Sequence, residues 1–128
     1  MATPEVSLGS VLIADDDSLV RGVLRMALTR AGYTVVVACD ATEALVAQVA
    51  YSPELVILDI NMPGGTLHDT LGSLRERQPE LRVLVLSGES EPPVDLTGPA
   101  CDFARKPIDL DDLLGRVELL LSHTTSHR

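Results

Sequence analysis

Aromatic side chains are nearly absent from this chain. Tyr33, Tyr51 and Phe103 make up 2 % of its 128 residues, and there is no Trp. A core must therefore be built from Val, Leu, Ile and Ala rather than from large rings. Cations are scarce too: ten Lys and Arg stand against nineteen Asp and Glu, for a net charge of −9. Phosphate backbones and anionic lipid surfaces are bound by clustered cations, so this balance argues against direct contact with nucleic acid or a membrane surface. It leaves room for a bound cation or a basic partner patch. Only two cysteines occur, Cys39 and Cys101. Two thiols in a chain long enough to bury a core do not form a disulfide scaffold, and both are expected to be reduced, small and buried. Apolar runs are short, as at Val35–Cys39 and Leu55–Leu58, well below the roughly 20 residues that cross a bilayer. The opening Met1-Ala2-Thr3-Pro4-Glu5 lacks a basic stretch followed by an apolar one, so no secretion signal is expected and the default location is the cytoplasm.

What is present is globular: 45 % of residues are hydrophobic and 23 % charged, in a length that fits one domain. The domain is expected over residues 8–121, with flexible termini at 1–7 and 122–128. Short apolar runs alternate with amphipathic segments. Strands are predicted at Ser10–Ala14, Thr34–Ala38, Leu55–Leu58 and Arg82–Ser87, with a weaker one at Cys101–Ala104. The first four are aliphatic with little alternation, the pattern of strands buried on both faces. Helices are predicted at Ser18–Arg30 after Asp17, at Ala44–Ala50 after the capping-box spacing Asp40-Ala41-Thr42-Glu43, at Leu71–Arg77 after a similar Thr66-Leu67-His68-Asp69, and at Leu110–Leu121, which opens on Asp111 and Asp112. Leu19, Val20, Val23, Leu24, Ala27 and Leu28 form an apolar stripe on the first helix. Gly32 and Pro53 fall where the first two helices should stop. Residues 88–99 contain Pro92 and Pro93, which forbid a normal helix interior, so a loop or single turn is expected there. Strands alternating with helices predict an α/β fold with a parallel sheet covered on both faces, because parallel strands need crossovers.

In such a sheet, sites form at the carboxyl ends of the strands. Those ends carry Asp15-Asp16-Asp17, then Asp59 followed by Ile60-Asn61-Met62-Pro63, then Ser87-Gly88, then Lys106-Pro107. Clustered carboxylates repel one another, and a bound cation relieves the repulsion. Oxygen ligands without His or Cys point to Mg²⁺ or Mn²⁺ rather than zinc. A carboxylate beside such an ion can attack a phosphoryl group while the ion and a lysine neutralise the phosphoryl oxygens.

Four motifs in this order resemble the receiver domain of bacterial two-component response regulators: Val11-Leu12-Ile13-Ala14-Asp15-Asp16, Leu55-Val56-Ile57-Leu58-Asp59-Ile60-Asn61-Met62-Pro63, Val83-Leu84-Val85-Leu86-Ser87-Gly88 and Phe103-Ala104-Arg105-Lys106-Pro107. The resemblance implies a flavodoxin-like, doubly wound five-stranded parallel sheet of order 2-1-3-4-5. It implies Asp59 as phosphoacceptor, and Asp16, Asp59 and the Asn61 carbonyl as Mg²⁺ ligands, with Asp15 acting mainly through a metal-bound water. Ser87 matches the switch hydroxyl, Lys106 the lysine that pairs with the phosphoryl group, and Phe103 the aromatic switch position. The implied partners are a sensor histidine kinase or histidine phosphotransfer protein as donor, and an unknown downstream protein. A second copy of the chain is a further candidate, since the family uses the region between Ser87 and Lys106 for dimerisation or output. The only reactions implied are the domain's own phosphorylation and dephosphorylation. The segment after Pro63 and the stretch from Ser87 to Lys106 are both shorter than the family norm.

Blander readings stand beside these. Asp17 reads as a helix cap, and His68, His123 and His127 as surface residues. Phe103 is as readily core as switch. Gly22, Gly72 and Gly115 interrupt predicted helices, each at a cost of up to about 1 kcal/mol relative to Ala, which close packing would explain. Two other functions compete with the switch. One is a receiver-like interaction module that binds partners without phosphorylation. The remote one is a phosphatase with an aspartyl nucleophile, a class that resembles haloacid dehalogenases and places its nucleophile after the first strand, not the third.

Overall fold

The computed structural model describes residues 7–88 and 101–122. Five parallel strands, β1 (Ser10–Ala14), β2 (Thr34–Ala38), β3 (Leu55–Asp59), β4 (Arg82–Ser87) and β5 (Cys101–Arg105), form one sheet in the order β2-β1-β3-β4-β5. Four helices, α1 (Ser18–Ala31), α2 (Ala41–Tyr51), α3 (Leu67–Arg77) and α4 (Leu110–Ser122), cover its two faces. This is the expected doubly wound arrangement. The expected break at 88–99 falls almost wholly on residues 89–100, which lie outside the described residues, as do 1–6 and 123–128.

Alternation along each central strand divides the core in two. Leu12, Ala14, Val56, Leu58, Val83 and Val85 face α2 and α3, where Ala44, Ala47, Leu71 and Leu74 meet them. Val11, Ile13, Leu55, Ile57, Leu84 and Leu86 face α1 and α4, where Leu24, Leu28, Leu113 and Val117 meet them. Both faces are apolar because both are covered.

The sequence signals at the helix ends are used. Asp17 Oδ1 accepts from the amides of Leu19 and Val20 at 2.9 and 3.3 Å. Asp40 Oδ1 accepts from the Glu43 amide at 2.8 Å, while Glu43 Oε1 reaches back to the Cys39 amide, also at 2.8 Å. Thr66 Oγ1 caps α3 through the Asp69 amide at 3.0 Å. The capping residues are therefore the true helix starts, and α2 and α3 begin earlier than their apolar repeats alone indicate. Gly32 closes α1 in the left-handed conformation, with φ 108°.

Three expectations are corrected. β2 is not buried on both faces: it is an edge strand, and Val37 is 41 % exposed because only β1 flanks it. The α1 stripe is only partly core: Leu24 and Leu28 are buried, whereas Leu19 and Val23 are 74 % and 41 % exposed. The stripe is wider than the strip of sheet that α1 can cover. The two thiols are free but only half-buried, since Cys39 follows one edge strand and Cys101 begins the other.

Close packing does not account for the helix glycines. A Cβ built at Gly22, Gly72 or Gly115 meets nothing within 4 Å. Gly64 is different. Its φ is 100°, and a Cβ there would sit 3.2 Å from the Ala41 nitrogen, whose N–H donates to the Pro63 carbonyl at 3.1 Å. This contact fastens the β3–α3 loop to the start of α2. Ala substitution at Gly22, Gly72 or Gly115 is expected to stabilise the fold by about 0.5–1 kcal/mol each in urea unfolding. Gly64→Ala is expected to destabilise it by at least about 1 kcal/mol, because both the backbone conformation and the space oppose a side chain.

Candidate functional site

The carboxyl ends of β1, β3, β4 and β5 form one edge of the sheet, and the expected residues stand along it. Asp15 follows β1 and is 1 % exposed. Its amide continues the ladder to the Ala38 carbonyl at 3.1 Å. Its Oδ1 accepts from the Asp17 amide at 2.9 Å. Asp59 ends β3 at 6 % exposed, and its Oδ1 accepts from the Asn61 amide at 3.3 Å. Asp16, between Asp15 and the helix cap, is exposed. The three residues Asp15, Asp16 and Asp59 each offer a carboxylate oxygen within 4.8 Å of the others.

Lys106 follows β5 across a turn whose Lys106–Pro107 peptide bond is cis. Its amide donates to the Ser87 carbonyl at 2.7 Å, which ties it to the end of β4. Its ammonium lies 3.0 Å from Asp15 Oδ2 and 3.3 Å from Asp59 Oδ1. Burial opposes charge on this lysine, but hydrogen bonding and attraction from Asp15, with Asp59 adding to both, outweigh it and raise its pKa. Burial pushes the Asp59 carboxyl above its ordinary range. The Asn61 amide lowers it and nearby Asp15 raises it, with Lys106 acting against the rise.

The charges do not balance. Three carboxylates share this edge with one ammonium, so acidic groups outnumber it. Two unit charges 4 Å apart repel by roughly 4 kcal/mol at an effective dielectric of 20. Asp15 Oδ2 is buried, and the Lys106 ammonium at 3.0 Å is the group it faces. Carboxylate oxygens from Asp15, Asp16 and Asp59 within 4.8 Å of one another make an all-oxygen donor set that fits a hard divalent cation such as Mg²⁺ or Mn²⁺.

Ser87 is fully buried at the end of β4, one residue beyond Leu86, which pairs with Asp59 in register. Asn61 is exposed on the loop after β3. Phe103 lies opposite Val85 and packs, half-buried, against the α2–α3 side of the core. Its carbonyl accepts from Arg116 Nη1 at 2.9 Å, and the same guanidinium pairs with Asp102 and Asp112. Asp17 is a helix cap, as expected. One residue at this edge was not legible in the motifs. Arg21, one turn into α1, donates from Nη1 to the Asp15 carbonyl at 2.7 Å. The signal available was a cation four residues after the cap, a spacing that also suits an ordinary surface position.

Residues 11–118 match the family model described as the response regulator receiver domain. Among curated proteins, the response regulator MprA of Mycolicibacterium vanbaalenii is 37 % identical over 118 residues, covering 90 % of this chain and 51 % of the relative. The DNA-binding transcriptional regulator NtrC of Salmonella typhimurium is 33 % identical over 118 residues, covering 90 % of this chain and 25 % of its own length. The chain thus spans between a quarter and a half of these relatives. Among solved structures, the response regulator TrrA of Thermotoga maritima, in complex with Mg²⁺–BeF, superposes with a TM-score of 0.78 at 29 % identity, covering 88 % of this chain and 99 % of that one. Among the described residues no helix is long and apolar enough to cross a membrane.

Because burial favours the neutral form of Asp59, its contribution to stability is present in acid and is lost as pH rises through its raised pKa. Asp59→Asn is therefore expected to raise the thermal midpoint of the metal-free protein by a few degrees at pH 7. The gain should vanish below about pH 4, where the wild-type carboxyl is itself neutral. Thermal unfolding followed by circular dichroism across this range checks both the sign and its pH dependence.

Proposed function

The chain belongs to the response regulator receiver domain family, and on that premise we propose that it is a phosphoacceptor switch of a two-component or phosphorelay system. The observation that carries this reading is the cluster at the sheet edge: a buried strand-end carboxylate, Asp59, with the Lys106 ammonium at 3.3 Å and two further carboxylates beside it. The unit that acts is the domain over residues 8–121, placed in the cytoplasm with its kinase.

An oxygen of Asp59 attacks the phosphorus of a phosphohistidine on a sensor histidine kinase or histidine phosphotransfer protein. The phosphorus–nitrogen bond breaks, the imidazole leaves with the electron pair and regains a proton, and Asp59 carries an acyl phosphate. Lys106 pairs with a phosphoryl oxygen, and the Ser87 hydroxyl donates to another. Asp15, Asp16, Asp59 and the Asn61 carbonyl are the groups that would hold Mg²⁺ or Mn²⁺, with Asp15 acting chiefly through water. The ion, when bound, supplies charge neutralisation for the incoming phosphoryl oxygens. The Mg²⁺–BeF complex of the relative TrrA supports this assignment. Hydrolysis reverses the state: water attacks phosphorus, the Asp59 carboxylate is restored and inorganic phosphate leaves. The domain catalyses these two reactions on itself alone.

The signal is a change in binding. A phosphoryl group on Asp59 adds negative charge at the edge and draws the Ser87 hydroxyl toward it. Any coupled movement of Phe103 re-shapes the surface beside β5 that a downstream protein or a second copy of the chain would meet.

Incubation with acetyl phosphate and Mg²⁺ is expected to add one phosphoryl group by intact mass, and Asp59→Asn should abolish the gain. Lys106→Ala should slow it by about 10²–10³-fold, the usual cost of removing one charge-stabilising donor. No gain from acetyl phosphate or from a phosphohistidine donor would sink the switch and leave an interaction module that works without phosphorylation. Steady turnover of unrelated phosphomonoesters would instead establish a phosphatase.

A further inference from the structure

We propose that Arg21 is a positioning residue for the acidic cluster: by holding the Asp15 carbonyl, its guanidinium fixes the turn that aims Asp15 and Asp16 at Asp59. The inference rests on reading that cluster as a cation site.

Every other polar group of Asp15 is already tied to a different part of the fold. Its amide is bound to β2 through Ala38, its Oδ1 to the Asp17 amide, and its Oδ2 faces Lys106 after β5. The carbonyl lies just beyond the last residue of β1, where no backbone amide among the described residues takes it. Arg21 takes it at 2.7 Å, a short charge-assisted bond from a half-buried side chain. The turn between β1 and α1 is thereby closed at both ends: Asp17 caps the helix from below, and Arg21 reaches back from its second turn. Asp16 gains most from this closure. Its carboxylate is exposed and makes no hydrogen bond among the described residues, so the backbone on either side is what places it.

Arg21 is also a cation beside a site that would bind a cation, and the two roles predict opposite signs. If only its charge mattered, removing it would tighten divalent-ion binding. If it positions the carboxylates, removing it weakens binding. The geometry favours the positioning role: the guanidinium is bonded at 2.7 Å to the backbone carbonyl of the turn.

The full chain, with Arg21→Ala and Arg21→Lys, is tested by Mg²⁺ calorimetry. Exchange of the Asp17 amide, which is bonded to Asp15 Oδ1, is followed by NMR in the metal-free protein. Arg21→Ala is expected to weaken Mg²⁺ about fivefold and to speed Asp17 exchange by about tenfold, as loss of one charge-assisted hydrogen bond would do. Arg21→Lys, which keeps the charge and a donor, should recover most of both losses. Unchanged or tighter Mg²⁺ binding in the Ala variant overturns the proposal, and so does unchanged Asp17 exchange. If the Ala variant does not fold, Arg21→Gln is read in its place against the same outcomes. Should the wild type fail to bind Mg²⁺, as an Asp16→Asn control should, the cation reading falls, while the exchange measurement still decides the role of Arg21.

Discussion

The Lys106 ammonium between two buried carboxylates is the constraint around which this edge of the molecule is organised. Asp15 and Asp59 are almost without solvent, and like charges that close would drive each other toward protonation or outward. Lys106 sits within 3.3 Å of both. It is held there by its own amide, which extends the β4–β5 ladder to the Ser87 carbonyl. The backbone pairing of the last strand thus delivers the charge that lets carboxylates after the first and third strands share one space.

One ammonium offsets only part of the negative charge. Because the acidic groups come from several strand ends, a change of charge there acts on those ends together. In a sheet buried on both faces, those ends are the places where side chains can move without opening the core. Ser87 stands at such an end on β4, whereas Phe103 lies midway along β5 opposite Val85. The Arg116 guanidinium ties Phe103 and Asp102 of β5 to α4.

Much of this was legible in the linear order of residues. The alternation of aliphatic runs with capped amphipathic segments specified strands, helices and parallel pairing. The positions of Asp15, Asp16, Asp59, Ser87 and Lys106 at or just after the ends of predicted strands put them on one edge. The helix caps at Asp17, Asp40 and Thr66 could be read from single side chains because capping is a local interaction. The exposed outer half of the α1 stripe, the open side of β2 and the half-buried thiols were not legible. Those depend on how far a neighbouring element extends, and hydrophobicity alone carries no such information. The spacing that marks Leu19 and Val23 as core is the same spacing that leaves them on the flank of a helix wider than its seat.

Local chemistry in the chain therefore determined which elements form, in what order, and which side chains end them, since caps, period and turn residues act over a few positions. Tertiary structure decided the rest: that Lys106 bridges two buried carboxylates, that Gly64 locks its loop against α2, and that Arg21 grips the Asp15 carbonyl. Except for the grip of Arg21, which spans a single turn of helix and a cap, each of these joins residues far apart in the chain. Their distances are set by sheet register and layer spacing, which no stretch of sequence contains by itself.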